Sequence, residues 1–129
     1  MKRALIAASI IMTATVAANA TETGTLSGDA LRKAVIGKTV YLRTQGIELP
    51  ISYRSNGTMS GRLKAFVAAL AGGASPTDSG KWWITKDQLC QRWSQWLDGK
   101  SYCYKLQRKG ALVQWRRNDG RSGTLRIGG

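Results

Sequence analysis

Cys90 and Cys103, with twelve residues between them, share the stretch Gly80 to Tyr104 with Trp82, Trp83, Trp93 and Trp96, four of the five tryptophans of the chain. Two thiols at this spacing can close a disulfide, stay free or hold a soft metal. A metal would need further ligands, and the chain has neither a histidine nor a Cys-x-x-Cys pair. The lack of histidine also removes Ser-His-Asp and Cys-His nucleophilic schemes and the usual general base near neutral pH. After residue 20 the acids are Glu22, Asp29, Glu48, Asp78, Asp87, Asp98 and Asp119. Several sit at turn positions where carboxylates act as caps, which leaves Glu48, Asp78 and Asp87 as the set for two-carboxylate hydrolysis, provided they converge. Gly72-Gly73 and Gly128-Gly129 do not form a phosphate-binding fingerprint. No motif identifies a reaction; the expectation is a protein that is not an enzyme, with no cofactor and no metal.

Charge is the other chemical signal. The formal net charge is +13, and residues 100–129 hold Lys100, Lys105, Arg108, Lys109, Arg116, Arg117, Arg121 and Arg126 against Asp119 alone. Such a field favours anionic partners, and arginine suits bidentate contact with phosphate or carboxylate. A solvated face that only keeps the protein soluble is the competing explanation. Among the aromatics, Trp82, Trp93 and Trp115 fall on inward strand positions or beside a cysteine and are expected in the core. Trp83 and Trp96 are expected to face outward, with Trp83 beside Lys81 and Lys86 placed to stack on a sugar, a base or a lipid headgroup.

Positioning these groups requires a scaffold, and the chain begins with an address. Met1-Lys2-Arg3 is a basic start, residues 4–18 are small or apolar, and Ala18-Asn19-Ala20 offers an Ala-x-Ala cleavage site, the signature of a secretory signal peptide over 1–20. The apolar run is shorter than the roughly 20 residues of a spanning helix. Without residues 1–20, which contain two cations and no acid, the formal charge is +11. The remaining length fits a segment over 21–36 and a single β domain over 37–129, with a modest core that a disulfide would support.

Ser27 as N-cap, Leu26 and Leu31 as a hydrophobic staple, and Gly37 as terminator predict a two-turn helix at about 28–36. Alternation follows: Val40 and Leu42, then Ile47, Leu49, Ile51 and Tyr53, on half-buried strands. Pro50 argues for an edge or a bulge. Arg54-Ser55-Asn56-Gly57 reads as a type I′ hairpin turn, and Asn56-Gly57-Thr58, although a glycosylation sequon, as turn chemistry. Phe66 to Leu70 extends the strand from Thr58 or forms a helical turn, and Ala71 to Gly80 reads as a mobile loop. Further strands are predicted near 81–85, 88–95, 101–108, 111–117 and 122–127, with a short helix over 87–97 as the alternative for one of them. The fold class is therefore mainly β: an antiparallel meander of about eight short strands forming a small barrel or a strongly bent sheet, after one short N-terminal helix. An internal echo aligns Tyr53–Arg62 with Trp115–Thr124 if one residue is inserted in the second turn. It reads either as recurring turn chemistry or as a duplicated binding loop.

Gly80-x-Trp82-x-Ile84, Leu89-Cys90-x-x-Trp93 and Cys103-Tyr104-x-Leu106, preceded by Tyr53-x-x-Asn56-Gly57-Thr58, resemble a group of small exported bacterial proteins whose shared domain has no established function. The resemblance covers about residues 37–128. It implies a periplasmic or secreted β-rich domain with Cys90 joined to Cys103, and no catalytic residue. Trp83, Trp96 and the basic C-terminal third lie outside the shared pattern. The expected function is noncatalytic binding of an anionic envelope component: lipopolysaccharide, acidic polysaccharide or lipid headgroup, with nucleic acid disfavoured. The candidate residues are Arg54, Arg62, Lys64, Trp83, Arg116, Arg117, Arg121 and Arg126. Two other readings compete. One is a lipocalin-like carrier of a small apolar ligand, with Ala71 to Gly80 as lid. The other is a periplasmic inhibitor or stress factor that binds a protein through Trp83 and Trp96.

Overall fold

The computed structural model describes residues 9–11, 24–70 and 72–128. Most of the expected signal segment, its expected cleavage site, Glu22 and Ala71 lie outside the described residues. Among the described residues no helix is long and apolar enough to cross a membrane.

Helix α1 (Gly28–Val35) follows a two-residue strand β1 (Gly24–Thr25), and eight strands follow: β2 (Thr39–Thr44), β3 (Ile47–Tyr53), β4 (Thr58–Arg62), β5 (Thr77–Thr85), β6 (Gln88–Trp93), β7 (Ser101–Lys109), β8 (Leu112–Arg117) and β9 (Ser122–Ile127). Helix α2 (Ala65–Leu70) lies between β4 and β5. Each of β2 to β9 pairs antiparallel with the next, and β9 returns to β2 through Val40–Ile127 and Leu42–Leu125. The meander is thus a closed eight-stranded barrel, which settles the choice between barrel and bent sheet. β1 adds to β7 at Gln107 and Arg108, beyond the part of β7 that pairs with β6.

The register puts one residue of every alternating pair inside. Val40, Ile51, Met59, Trp82, Leu89, Leu106, Val113 and Leu125 form the buried centre, as strand periodicity requires when one face is dry. α1 plugs one end. Leu31 and Val35, one helical turn apart, are fully buried in the same core, each stabilising by roughly 1.5–3 kcal/mol. Gly37 N–H donates to Tyr53 O at 2.7 Å, and Arg32 lies 5.8 Å from the Trp82 ring centre. Ser27 is extended at the N-cap, but its hydroxyl makes no capping bond.

Several local expectations change. Strand β5 begins at Thr77, so 77–80 is strand rather than loop and the connection after α2 ends at Pro76. Gly80 looks like loop chemistry but serves close approach: a Cβ there would sit 2.2 Å from the Arg92 carbonyl oxygen. β6 is a strand, as expected, and not the alternative helix. Pro50 has no sheet edge, because the barrel is closed. It pairs with Tyr41 on β2, and the β3–β4 ladder starts only at Ile51, so Pro50 sits where β3 lacks a neighbour on its other side.

The Arg54–Thr58 connection is not type I′. Only Gly57 takes positive φ, Gly57 N–H donates to Arg54 O at 3.1 Å and Arg54 N–H donates to Thr58 O at 2.9 Å, a turn closed by a glycine bulge. Arg117–Arg121 repeats it with Gly120 N–H to Arg117 O and Arg117 N–H to Arg121 O. The two loops therefore correspond without an insertion, Arg54 matching Arg117. They lie at opposite ends of the barrel, so the echo is shared turn chemistry and not a shared binding face.

Candidate functional site

The end opposite α1 is open. It is bounded by the β2–β3 turn at Gln45 and Gly46, the segments 63–70 with α2 and 72–76, the turn 94–100 and the β8–β9 turn at 118–121. Within it a cavity of about 270 Å³ reaches into the barrel. Leu42, Leu49, Ile51, Trp93 and Trp115 form its walls; Leu63 and Val67 from the α2 segment, with Trp96 and Leu97 from the 94–100 turn, form its rim. The lining is mostly apolar, a surface that favours an apolar or aromatic guest over water.

Glycine under tryptophan shapes this mouth. Gly61 points inward on β4, and a Cβ there would come within 2.8 Å of both the Trp93 and Trp96 rings. Those rings lie 4.7 Å apart at 52°, covering the strand where no side chain grows, as aromatics do over glycines in curved sheets. Trp96 is therefore half-buried rather than outward. Its indole N–H donates to Ser75 O at 2.9 Å, and its backbone N–H and that of Gln95 donate to Asp78 Oδ2. It misses the strand phase because the chain has already left β6. Trp115 is buried as expected, its indole N–H shared between Arg43 O and Thr124 O. Trp82 and Trp93 are also in the core.

Part of the cavity lining is polar: Gln91, Tyr104 and Arg117. Tyr53 O–H donates to Gln91 Oε1 at 2.6 Å. Tyr104 follows, then Arg117, whose guanidinium donates to Asp119 through two bonds of 2.8 and 2.6 Å and lies 4.2 Å from the Tyr102 ring centre. Burial pushes the Tyr53 phenol far above its usual range. The Tyr104 phenol also rises by burial, with Arg117 and Gln91 acting in the opposite sense. The hydrogen bond from Arg117 holds the Asp119 carboxyl down at about 2. Both phenols therefore stay neutral across ordinary pH, and the guanidinium's charge is matched by a carboxylate.

The sequence-derived basic set does not assemble. Arg54 lies in the turn at the plugged end and donates to Ser60 Oγ. Arg116 points outward on β8 while its neighbour Arg117 is buried inside, so the expected Arg116/Arg117 pair is split between two faces. Arg126 lies on the outer wall, 4.1 Å from the Tyr41 ring centre and 3.6 Å from Glu48, which also pairs with Arg43. Arg62, Lys64 and Arg121 do come to one place, the open end, all exposed. Trp83 is 38% exposed on the outer wall, opposite Cys90 in the β5–β6 register.

Cys90 and Cys103 form a disulfide across a directly opposed pair of β6 and β7, as expected. It faces away from the cavity: Leu89 and Gln91 flank Cys90 on the inner face. Trp82 and Trp93 consequently fill the barrel and not the space beneath the staple. Glu48, Asp78 and Asp87 do not converge. Glu48 is tied to arginines on the outer wall and Asp78 caps the 94–100 turn; Asp87 lies in the β5–β6 turn at the other end of the barrel from Asp78. Among the described residues no group of three or more acids or cysteines is arranged for a metal ion.

The sequence reading missed Gln91, Tyr104 and Leu49 as site residues. The signal for Gln91 was present: it is a polar residue in the inward phase between Leu89 and Trp93. No protein-family model, curated protein or solved structure matches this chain.

Proposed function

We propose that the protein is a noncatalytic binding domain that takes a small apolar or aromatic molecule into the open end of its barrel. The observation that carries this reading is the mostly apolar cavity of about 270 Å³ at the open end of the barrel, bordered by Trp93, Trp96 and Trp115. At the liquid volume of water, about 30 Å³ per molecule, it has room for roughly nine methylene-sized groups. The ligand is thus a short chain or a small ring system. Gln91 and Tyr104, which line the cavity, give one polar group of such a ligand a partner. This is the carrier reading of the sequence, with a shorter loop than expected: Thr77 to Gly80 belong to strand β5. The N-terminal signature, the disulfide and the resemblance to small exported proteins support a place outside the cytoplasm.

Native mass spectrometry of protein purified without detergent, followed by extraction into organic solvent, tests the proposal. A co-purified small molecule, or saturable binding of the probe decanoic acid measured by isothermal titration calorimetry, is the expected result. Protein that stays empty and does not bind the probe would remove the reading.

A second reading rests on a different face. Trp83 lies exposed beside Lys81 and Arg92 in a shallow groove completed by Ser94 and Ser101. An indole flanked by two cations suits stacking on an acidic sugar. Binding of an acidic polysaccharide that survives Trp83→Ala and Arg92→Ala would exclude it.

A further inference from the structure

Large apolar side chains that remain exposed are not scattered over this barrel. Of those on residues 24–128, namely Phe66, Leu70, Trp83, Leu97 and Leu112, three surround the open end: Phe66 at 64%, Leu70 at 83% and Leu97 at 41% exposed. Phe66 and Leu70 are four residues apart on α2 and share one helical face. Val67, between them, points into the cavity rim together with Leu97.

Leu97 is displayed at a conformational cost. It and Asp98 both lie in the left-handed region, at φ 55° and 56°, which side chains with a Cβ resist. Core packing does not repay that cost, because neither side chain is buried. A strained backbone holding a leucine in water is the kind of outlier that marks a working surface.

The charge around these residues has one predominant sign. Arg62, Lys64, Lys100 and Arg121 are exposed at this end, and among the described residues none of them forms a salt bridge. Three acids belong to the same end. Asp119 is bound to Arg117, Asp78 accepts from the backbone of Ser79, Gln95 and Trp96, and Asp98 is exposed.

We infer that the open end is a docking face for an anionic lipid surface, with Phe66, Leu70 and Leu97 entering the headgroup region and Arg62, Lys64, Lys100 and Arg121 meeting lipid phosphates. Apolar side chains ringed by cations bind such a surface through two additive contributions, area buried and charge. A protein partner would not require the cations, and a soluble polyanion would not require the phenylalanine and leucines. The cavity reading is needed only for what docking achieves, since the mouth that takes the ligand then faces the bilayer directly.

The test is flotation of the full-length processed protein with phosphatidylglycerol–phosphatidylcholine vesicles and with phosphatidylcholine vesicles alone. The expected result is partition onto the anionic vesicles only, weakening with salt. The double variants Phe66→Ser/Leu70→Ser and Lys64→Glu/Lys100→Glu should each lower that partition about tenfold or more. All four side chains are exposed, so circular dichroism and retained decanoic acid binding should match the parent. Lys105→Glu/Arg116→Glu, on the outer wall, should keep at least half of the parent's partition. Absence of partition, an unchanged Phe66→Ser/Leu70→Ser variant, or an equal loss in the outer-wall variant overturns the inference. Docking without probe binding removes the cavity reading and leaves this one; probe binding without docking does the reverse.

Discussion

Replacing Leu49 by tryptophan should shorten the ligand the barrel accepts, by an amount set by the cavity. Leu49 points inward from β3 and is half-buried at the cavity wall, so the larger side chain has empty space to enter and does not displace core. In the parent protein, affinity along a series of straight-chain carboxylic acids should rise with each methylene by about 0.8 kcal/mol, roughly fourfold. The rise should stop near nine groups, where about 270 Å³ is filled. The cost of association is common to the series, so the slope and the break carry the information rather than any single Kd. Indole brings about six more non-hydrogen atoms than isobutyl, and part of it will lean toward solvent at the mouth. The Leu49→Trp variant should therefore break several carbons earlier and bind decanoic acid more weakly by about 3 kcal/mol, roughly 100-fold. Isothermal titration calorimetry gives both quantities, and the thermal midpoint should stay within a few degrees because the core is untouched. A series with no break, or a variant that binds decanoic acid like its parent, would refute the assignment of this cavity as the binding site.

Three further outcomes follow from the geometry. Cys90→Ser/Cys103→Ser should lower stability by about 3 kcal/mol for a loop of this length, seen as a drop in thermal midpoint of roughly 12–20 °C, yet leave probe binding intact because the disulfide faces away from the cavity. Gly80→Ala should destabilise by more than about 3 kcal/mol, since its methyl would have to displace the Arg92 carbonyl; urea denaturation measures it, and a loss under 1 kcal/mol would mean the β5–β6 pairing is wrong. Asp119 titrates at about 2 when folded against 3.8 for the free group, so its contribution is complete above pH 4 and is lost as pH falls through 2. Asp119→Asn should flatten the fall in thermal midpoint between pH 4 and 2, and an unchanged slope would show that the Arg117 pair contributes nothing in solution.

Much of the scaffold was legible because one face of each strand is dry. Val40/Leu42 and Leu49/Ile51/Tyr53 alternate for that reason alone, and the cysteines lie directly opposite each other on strands whose span was readable. Closure was not legible, because it depends on Val40 meeting Ile127 and no local pattern records that contact. Gly80 was read as loop since a glycine permits a turn and a close approach equally well. The site was harder still. Arg117 follows Val113 and Trp115 in the inward phase, but charge summed along the segment hid which face each arginine takes. A cavity is space left unfilled, and no residue type announces it. The docking proposal takes up the idea of a basic, aromatic-edged surface but places it at the rim of the barrel rather than on the hairpins.

The β2–β9 seam has a kinetic consequence. Seven ladders of the barrel join strands that are neighbours in sequence and can form as hairpins; the eighth joins Val40 to Ile127. Relative to a ten-residue hairpin, closing so long a loop costs about 2 kcal/mol more in chain entropy, and non-local pairing of this kind slows folding. We expect an almost complete, open sheet to accumulate before the seam zips, with the walls of the cavity the last surface to become dry. Pulse-labelled hydrogen exchange would show amides of the β5–β6 and β7–β8 hairpins protected earlier than those between β2 and β9; simultaneous protection would argue for a single concerted closure. Until that seam shuts, the barrel has two bare strand edges, and that interval is when the chain is most exposed to pairing with another copy of itself.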